Sequence, residues 1–452
     1  MKTIFLPIFH GHIARNVLLT DISKYLKAEK DLKIVILCPN TKKDYYEKNF
    51  GGANFIFEGV SLVKPSHLDN FFRISYYYFV DSVTVRLIQG RNYILSGRHF
   101  RYFFERFFTK IIGNLKLLRV FIRFLDRKLV KPEGFRELFD KYKPELVFVS
   151  SITSDQDSMV LREAQLRKVK TVGMVRSWDN LSANKGNIRI YPDKLLVHNK
   201  YLLQDAVELA DFEKEKIKIV GMPHFDYYVN EPRLSTEELC NKIGADPKKK
   251  ILFFLMIGMS NQKLDEYITS ILENWLDKNP SFKDFQLIVR PHPNTNKLIN
   301  VGGKTIVNYP KMIEFGLGRL TDREFTKEDI EVYASLLAHA RVIVSYQGTG
   351  LIDAAALDKP MVAVVFDETK NPHYLVGTKH QYEFDHLQSV LATGGIKTVY
   401  NEEELKEAIM DYSLHPEHDS EARKKITEEQ CFKLDGKASL RVIEEIKESL
   451  KI

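Results

Sequence analysis

The chain has 452 residues, of which 44% are hydrophobic and 28% are charged, and its formal net charge is +7. This balance is typical of a globular protein with two or three domains, and it excludes fibrous and intrinsically disordered proteins. Over this length, the small excess of cations does not indicate nucleic acid as a partner.

The cysteines and the apolar segments indicate the compartment. Cys38, Cys240 and Cys431 are far apart in the sequence, which predicts neither a disulfide framework nor a CxxC metal site and fits a reducing compartment. The apolar start is interrupted at Pro7 and His10, too early for a signal peptide. No stretch approaches the roughly 18 uninterrupted apolar residues of a membrane span. We therefore expect a cytoplasmic protein.

The first half alternates short apolar runs with helical patterns, which predicts βαβ units and a parallel sheet. The predicted strands are Thr3–Leu6, Lys33–Leu37, Leu146–Val149, Thr171–Val175, Lys194–Val197 and Ile217–Val220. The predicted helices between them include Ile13–Lys27, Asp155–Arg167 and Tyr201–Leu209.

One segment of this half, at about 96–131, has a different pattern. Its apolar residues recur in steps of three or four, which predicts a helical stripe: Phe104, Phe107, Ile111, Leu115, Leu118, Ile122, Leu125 and Leu129. Residues 98–131 carry ten basic side chains, opposed only by Glu105 and Asp126, so the rest of the chain is nearly neutral. A basic, aromatic amphipath favours contact with an anionic membrane surface through residues 98–131. The alternative is that the stripe packs into the domain and its cations are solvated.

A polar stretch with Pro232 follows, and the α/β pattern then restarts. The predicted strands of the second half are Ile251–Met256, Gln286–Val289, Thr305–Val307, Val342–Ser345 and Met361–Phe366, and its helices include Leu264–Leu276, Asp329–Ala338 and Leu351–Leu357. The expected organisation is a first domain at 1–229, a linker at 230–236, a second domain at 237–436 and a C-terminal helix at 437–452. Two such halves predict a cleft between the carboxyl ends of two sheets, where ligands of α/β proteins bind.

Three loops that follow strands of the second half predict an anion site. Two prolines stiffen Arg290-Pro291-His292-Pro293, so that Arg290 and His292 can bind a phosphate or diphosphate. The turn from Ser345 through Gly348, Thr349 and Gly350 opens a helix, and Gly258-Met259-Ser260 is a third loop of this kind. Together they favour a nucleoside diphosphate. The alternatives are a rigid turn with a solvated cation and a helix that Thr349 merely caps.

The common catalytic motifs are incomplete, which disfavours several enzyme classes. The sequence has no GxGxxG or HExxH; Leu298 stands where a P-loop needs glycine, and Gln262 replaces the closing glycine of a nucleophile elbow. Classical dehydrogenases, zinc proteases and hydrolases are therefore disfavoured.

The first half contributes two polar segments after strands. His10-Gly11-His12, followed by Arg15, offers imidazoles as general bases and a glycine where a ligand can approach the backbone. Arg176-Ser177-Trp178-Asp179-Asn180 can bind an acceptor, with Asp179 as a base. In the alternative interpretation, these histidines line the helix, Trp178 packs and Asp179 is a cap.

These motifs resemble those of GT-B glycosyltransferases. Nearest is the bacterial surface-polymer branch, which includes the CDP-glycerol glycerophosphotransferases of teichoic acid synthesis and the capsular Kdo- and sialyltransferases. The resemblance rests on the RPHP loop, on Ser345…Thr349…Asp353 leading to Lys359-Pro360, on the segment 221–226 and on the tail Asp435-Gly436-Lys437-Ala438-Ser439. It implies an α/β fold with two Rossmann-like domains facing a central cleft.

The resemblance also implies roles at the donor. His292-Pro293 would contact the donor phosphate, the turn Ser345–Thr349 would adjoin the nucleotide, and no metal or cofactor would be bound. The sequence lacks the paired acidic residues of the sialyltransferase motif, and Asp353 is the nearest match to a ribose-binding glutamate. A nucleotide-diphosphate donor is therefore favoured over CMP-sialic acid.

The function expected from the sequence is transfer of a sugar, or a polyol phosphate, from a nucleotide-activated donor to a hydroxyl of a glycan or lipid-linked acceptor. Cell-surface glycan or glycolipid synthesis, in the cytoplasm or on the inner face of the membrane, is the expected setting. The expected catalytic residues are His12, Asp179 and His292; the donor-binding residues are Gly258, Ser260, Arg290, His292, Ser345, Gly348, Thr349, Gly350 and Asp353; the acceptor-side residues are His10, Gly11, Arg15, Arg176, Trp178 and Asn180.

Two other functions fit the same pattern. A sugar-nucleotide 2-epimerase uses this two-domain frame and needs several acidic residues around the sugar. A non-catalytic nucleotide- or lipid-binding protein would bind without turnover.

Overall fold

The computed structural model describes residues 1–62, 64–183, 188–258, 261–295, 299–316, 322–369 and 372–452. The chain divides into two compact units. Unit 1 comprises Met1–Tyr227, Glu314–Glu324 and Phe432–Ile452, and unit 2 comprises Tyr228–Ile313 and Phe325–Cys431. Unit 1 therefore includes two segments that the sequence pattern assigns elsewhere, namely 314–324 and the tail from 432.

Unit 1 is built on a seven-stranded parallel sheet in the order β3-β2-β1-β4-β5-β6-β7. Its strands are β1 Lys2–Pro7, β2 Leu32–Pro39, β3 Phe55–Val60, β4 Leu146–Val149, β5 Lys170–Met174, β6 Lys194–Val197 and β7 Ile217–Ile219. The six strands predicted in this half are present, and β3 was not predicted. The strand order reverses between β1 and β4, and this switch point is where ligands of doubly wound sheets bind.

Helices cover the sheet of unit 1. They are α1 Gly11–Val17, α2 Asp21–Ala28, α3 Lys43–Phe50, α4 His67–Ser75, α5 Val83–Ser96, α6 His99–Asn114, α7 Lys116–Leu129, α8 Arg136–Tyr142, α9 Asp155–Leu166, α10 Lys200–Glu208 and, at the end of the chain, α19 Ala438–Leu450. The predicted helix Ile13–Lys27 is two helices, because the chain leaves helical geometry at Thr20, which precedes α2 in extended backbone.

The C-terminal helix belongs to the core of unit 1. Val442, Ile446 and other apolar residues of α19 join the same buried cluster as β1, β2 and β4. The carboxylate of Asp226 accepts hydrogen bonds from the backbone N–H groups of Ala438 at 2.9 Å and Ser439 at 2.7 Å. The structure thus brings together the segment 221–226 and the tail 435–439, which lie far apart in the sequence.

The basic, aromatic segment forms the two helices α6 and α7, with a break at Leu115. The predicted solvation of all its cations is wrong for Arg119 and Arg123, which are buried and ion-paired with Asp211. Asp126 is buried as well, paired with Arg162 and Arg189. Parts of the apolar stripe remain outside: Phe104 and Phe107 are exposed.

Arg323 and Glu324, which belong to unit 1, lie beside the start of α1. A Cβ atom added at Gly11 would overlap the carbonyl oxygen of Arg323. The carboxylate of Glu324 is buried, accepting hydrogen bonds from Lys42 Nζ at 2.5 Å and the Tyr46 hydroxyl at 2.6 Å. The absence of a side chain at Gly11 therefore serves the packing of these residues, where the sequence predicted approach to a ligand.

Unit 2 repeats the doubly wound arrangement with six parallel strands in the order β10-β9-β8-β13-β14-β15. These strands are β8 Lys250–Leu255, β9 Phe285–Arg290, β10 Ile306–Val307, β13 Ala340–Ser345, β14 Met361–Val364 and β15 Lys397–Val399. Two short strands, β11 Met312–Glu314 and β12 Arg323–Phe325, pair with each other. The order reverses between β8 and β13, so the predicted anion loops follow the strands at this switch point.

The helices of unit 2 are α12 Thr236–Ile243, α13 Gln262–Lys278, α14 Lys327–His339, α15 Gly350–Ala356, α16 Asp385–Leu391, α17 Glu402–Leu414 and α18 Ser420–Gln430, and the short α11, Tyr227–Asn230, spans the division between the units. A capping box of Ser235 and Glu238 begins α12 directly after the predicted linker. Within the described ranges, no helix combines the length and apolar character needed to cross a bilayer.

Candidate functional site

The loops after β8 and β9 lie against each other at the carboxyl edge of unit 2. Gly258 has a positive φ of 87°, and a Cβ atom at this position would overlap Asn294 Oδ1 and crowd the Cβ of His292. Glycine is therefore required here both by the backbone conformation and by the close approach of the second loop. Gly258 and His292, both predicted donor-binding residues, are neighbours. Ser260 lies outside the described residues.

His292 presents an exposed imidazole whose orientation is fixed by Asn294. The ring Nδ1 lies 2.6 Å from Asn294 Oδ1 and 3.2 Å from the backbone nitrogen of Asn294, so it can donate to the first or accept from the second. When the ring is an imidazolium, both ring nitrogens carry hydrogen, and Nε2 can donate a hydrogen bond to an anion. Partial burial lowers the pKa of His292, while the hydrogen bond with Asn294 opposes this shift. Binding of an anion by this residue should therefore strengthen as pH falls.

Asp265, in the first turn of α13, binds the backbone of the Gly258 loop. It was not predicted from the sequence as a site residue. Its carboxylate accepts hydrogen bonds from the backbone N–H groups of Ile257 at 3.0 Å and Gly258 at 2.9 Å. Burial raises the pKa of Asp265 to about 7, although the backbone hydrogen bonds oppose the shift. An acidic residue in the first turn after a glycine loop was the signal that could have identified it.

Arg290 does not reach toward a phosphate as predicted. Its guanidinium is buried, donates to Asp329 Oδ2 at 2.7 Å and bonds with Asn308, and it lies over the ring of Tyr333. The prediction took the residue before Pro291 as part of the loop, whereas it is the last residue of β9. Its role in this structure is a buried ion pair.

The third loop lies at the end of β13, beside β8. Ser345 is buried, and its hydroxyl donates to the carbonyl oxygen of Leu255 at 3.1 Å; a Cβ at Gly350 would also crowd the side chain of Leu255. Gly348 and Thr349 precede α15, and Thr349 is its N-cap residue without a side-chain capping hydrogen bond. The Thr349 hydroxyl therefore does not make the capping contact that the alternative interpretation predicts.

Asp353 is buried in the first turn of α15. Its two carboxylate oxygens accept hydrogen bonds from the hydroxyls of Tyr228 at 2.9 Å and Tyr333 at 3.0 Å. These contacts give Asp353 a part in the packing of α15, and its contact with the nucleotide stays a prediction.

The polar residues of unit 1 also converge on its switch point. His10 precedes α1, and burial together with the positive charge of Arg176 and Lys42 lowers its pKa to about 4, so the ring is neutral at pH 7. Asn16 links the two predicted segments, because its Nδ2 donates to the carbonyl oxygen of Arg176 at 3.4 Å and its Oδ1 accepts from Arg15 Nε at 3.2 Å. His10, Arg15 and Arg176 therefore share one region, as predicted.

Of the remaining predicted residues of unit 1, two are partly exposed and two are buried. His12, in α1, and Asp179 are partly buried, so both can meet a substrate. Trp178 and Asn180 are buried, and Asn180 Oδ1 accepts from the backbone N–H of Ser177 at 3.1 Å. These two residues shape the loop after β5 from within, where the sequence predicted acceptor contacts.

Three titratable groups near this edge were not predicted as site residues. His198 follows β6 and His224 lies in the turn after β7; burial lowers the pKa of His198 to about 4 and that of His224 well below its usual value, and nearby Arg15 adds to the shift of His224. Asp157 is buried, which raises its pKa well above the usual range. Polar residues directly after strands were the signal for both histidines. The edge is thus rich in arginine and neutral imidazole.

A separate group of side chains in unit 2 has the composition of a metal ligand set. The ligand atoms of His415, Glu417 and His418 lie within 4.8 Å of one another on an exposed turn after α17. This turn is not one of the loops that carry the predicted donor residues.

Comparisons with known proteins agree on the fold. No family model matches the chain, and no curated protein matches it. Many solved structures match the chain. One is the UDP-GlcNAc 2-epimerase of Neisseria meningitidis bound to UDP-GlcNAc, with 13% identity, a TM-score of 0.53 and coverage of 99% of this chain and 100% of that chain. Another is the S. aureus MnaA–UDP co-structure, with 15% identity, a TM-score of 0.54 and coverage of 100% of this chain and 97% of that chain. A glycosyltransferase of Rickettsia africae ESF-5 matches with 14% identity, a TM-score of 0.52 and coverage of 100% of this chain and 99% of that chain. At such identities the likeness shows the fold. The predicted fold class is confirmed: the chain has an α/β GT-B fold with two Rossmann-like units.

Proposed function

We propose that this chain is an enzyme that acts on a nucleotide-diphosphate sugar and transfers the sugar to an acceptor hydroxyl. The observation that carries the proposal is the convergence at the switch point of unit 2: Gly258, the oriented imidazole of His292, and the turn that opens α15. Solved structures of the same fold that contain UDP or UDP-GlcNAc support a nucleoside diphosphate as the ligand class.

His292 would act on the leaving group. In transfer, the acceptor oxygen bonds to the anomeric carbon while the bond from that carbon to the diphosphate breaks, and negative charge grows on the diphosphate. An imidazolium at His292, kept in place by Asn294, offsets this charge, and backbone N–H groups of the adjoining loops can add to the effect. The proton of the acceptor hydroxyl passes to a base in unit 1, for which His12 and Asp179 are the proposed residues.

The acceptor side of the proposal rests on the charge of unit 1. Arg15 and Arg176 are partly buried beside neutral imidazoles, while Asp157 is buried with a raised pKa. We propose that this edge takes a glycan or lipid-linked acceptor, with the arginines facing an anionic group of that acceptor.

A second candidate is a sugar-nucleotide 2-epimerase, which is favoured by the number of UDP-GlcNAc 2-epimerases among the solved structures of this fold. Epimerisation at C2 removes a proton from one face of the sugar and returns one to the other, so it needs acid–base groups on both faces. Asp179 is partly exposed, and Asp155 is exposed at the start of α9, so carboxylates are present among the residues that follow β4 and β5.

Two experiments test the proposal. A thermal-shift screen with UDP, GDP, CDP, CMP and ADP identifies the base, because ligand binding to the native state raises its stability. A CDP preference would support the narrower resemblance to the CDP-glycerol branch, and a UDP preference would favour a UDP-sugar donor. The sugar donor is then incubated with and without acceptor hydroxyl compounds, and the products are identified by mass spectrometry and NMR.

The variant His292→Ala provides the residue-level test, with the exposed His415→Ala in the same unit as the matched control. We expect His292→Ala to abolish turnover with an unchanged unfolding temperature, and His415→Ala to behave as the wild type. Formation of a C2 epimer without acceptor would show that the reaction is epimerisation and would contradict the proposed transfer. Binding without any turnover would contradict both enzymatic functions.

A further inference from the structure

The helix α7 buries charged residues and exposes apolar ones, which is the reverse of an ordinary surface helix. Three of its charged residues are buried: Arg119 and Arg123 pair with Asp211 at 2.6 and 2.8 Å, and Asp126 pairs with Arg162 at 2.5 Å. A surface helix of a globular protein normally buries an apolar stripe and exposes its charges. Here the buried face is satisfied by ion pairs, so the apolar face is left outside.

Helices α6 and α7 each expose a row of apolar residues. The exposed residues follow the spacing i, i+3, i+4, i+7 in each helix, and we call them the aromatic face: Phe100, Phe103, Phe104 and Phe107 of α6, and Leu117, Val120, Phe121 and Phe124 of α7. Phe100 is 95% exposed and Leu117 is 86% exposed. Four of these phenylalanines, with Arg106 and Lys110, line an open cavity of about 630 Å³.

The helix α4, which packs beside α7, repeats the inversion. Its Asp69 is buried and pairs with Arg189 at 2.7 Å, while Leu68, Phe71 and Ile74 are exposed. Large exposed apolar surfaces on soluble proteins mark interaction sites. Two helices, α4 and α7, bury charged residues and expose apolar ones, and α6 exposes four phenylalanines; together they indicate a surface that is covered by a partner.

The exposed charged side chains of residues 98–128 are all basic. They are Arg98, Arg101, Lys110, Lys116, Arg127 and Lys128. The two acidic residues of the segment do not offset them, because Asp126 is buried and Glu105 is engaged by Arg101 at 2.7 Å. A second copy of this chain docked face to face would bring like charges together, which is unfavourable.

We propose that the aromatic face docks on the surface of an anionic lipid bilayer. The phenylalanines enter the boundary between headgroups and acyl chains, and the surrounding lysines and arginines contact anionic headgroups. The helices lie along the surface, and their buried ion pairs hold the face in its orientation. This inference is independent of the proposed function, since it uses none of the residues assigned to the donor or the acceptor.

Vesicle flotation of the full chain tests the proposal. We expect the protein to float with vesicles of phosphatidylglycerol and phosphatidylcholine and to stay behind with phosphatidylcholine alone, and we expect binding to weaken at about 0.5 M NaCl through screening. The charge variant Lys116→Glu, Arg127→Glu, Lys128→Glu should lower the partition coefficient on the order of a hundredfold. The matched control carries the same change at exposed lysines elsewhere: Lys283→Glu, Lys424→Glu, Lys425→Glu.

An apolar variant tests the insertion itself. Replacing Phe103, Phe107, Phe121 and Phe124 by serine should abolish flotation without lowering the unfolding temperature, because these side chains are exposed. Leu166→Ser and Leu414→Ser, exposed apolar residues outside the aromatic face, are the control. The absence of flotation with anionic vesicles, or flotation that neither variant set reduces, would overturn the proposal. A concentration-dependent dimer in sedimentation, lost in the serine variant, would identify a second copy as the occupant and would also overturn it.

Discussion

Asp265 provides the sharpest test of how the candidate donor site is built. The variant Asp265→Ala leaves two backbone N–H groups, of Ile257 and Gly258, without their acceptor. Unsatisfied buried donors cost about 1–3 kcal/mol each, so we expect unit 2 to lose about 3 kcal/mol. Asp265→Asn keeps one acceptor oxygen and should lose about 1 kcal/mol. Both variants should also weaken nucleotide binding, because they free the Gly258 loop.

The pH dependence of stability follows from the same residue. Burial raises the pKa of Asp265 from 3.8 to about 7, so between these values the folded state binds a proton that the unfolded state has released. The contribution of this group to the free energy of unfolding is therefore largest below pH 4, and it falls as the pH rises toward 7. Between pH 5 and pH 8 the loss is about 3 kcal/mol, and Asp265→Asn should remove it.

Urea denaturation monitored by tryptophan fluorescence measures these effects. The chain has two tryptophans, and a Trp178→Phe background leaves Trp275, on α13 itself, as the reporter of unit 2. The exposed Asp277→Asn on the same helix is the control, and it should change stability by less than about 0.5 kcal/mol. Equal urea midpoints for wild type and Asp265→Ala, or a pH slope that persists in Asp265→Asn, would refute the assigned role.

Three further predictions follow from buried contacts. Arg290→Met should lower the stability of unit 2 by about 3 kcal/mol because it leaves Asp329 buried without its cation, and an unchanged urea midpoint would contradict this. Lys42→Met should cost about 3 kcal/mol in unit 1, and adding Glu324→Leu should recover most of it; strictly additive losses in this double-mutant cycle would contradict the buried pair. Gly258→Ala should weaken UDP-GlcNAc binding about tenfold or more in calorimetry, since its φ of 87° and its contact with the neighbouring loop exclude a side chain, and wild-type affinity would refute this.

The secondary-structure elements that could be predicted from the sequence are those that depend on a local pattern of apolar residues. The parallel strands of both units, apart from β3 and β15, followed from short apolar runs, and the loops after β8, β9 and β13 were predicted to belong to one edge. Their meeting at Gly258 and His292 follows from parallel topology, because carboxyl ends of adjacent strands share an edge. This part of the candidate site could be predicted.

The remaining features depend on partners far away in the chain. Arg290 appears in the sequence as a cation in a loop, and only its contact with Asp329, 39 residues later, shows it to be buried. The partner of Arg119 is Asp211, 92 residues away, so the spacing within α7 alone suggested a solvated charge. Gly11 likewise owes its requirement to Arg323, in a segment from the other half of the sequence. Long-range pairing of charges leaves no periodic signal in a single sequence.

The central claim, that the switch point of unit 2 binds a nucleotide diphosphate through an imidazolium at His292, is tested most directly by calorimetric titration of UDP-GlcNAc at pH 6 and pH 8. The diphosphate of a nucleotide sugar does not change charge in this interval, so a change in affinity reports on the protein. The wild type should bind more tightly at pH 6 than at pH 8, and His292→Ala should bind weakly at both with no pH dependence. Equal affinity of wild type and His292→Ala, or the same pH dependence in both, would contradict the claim.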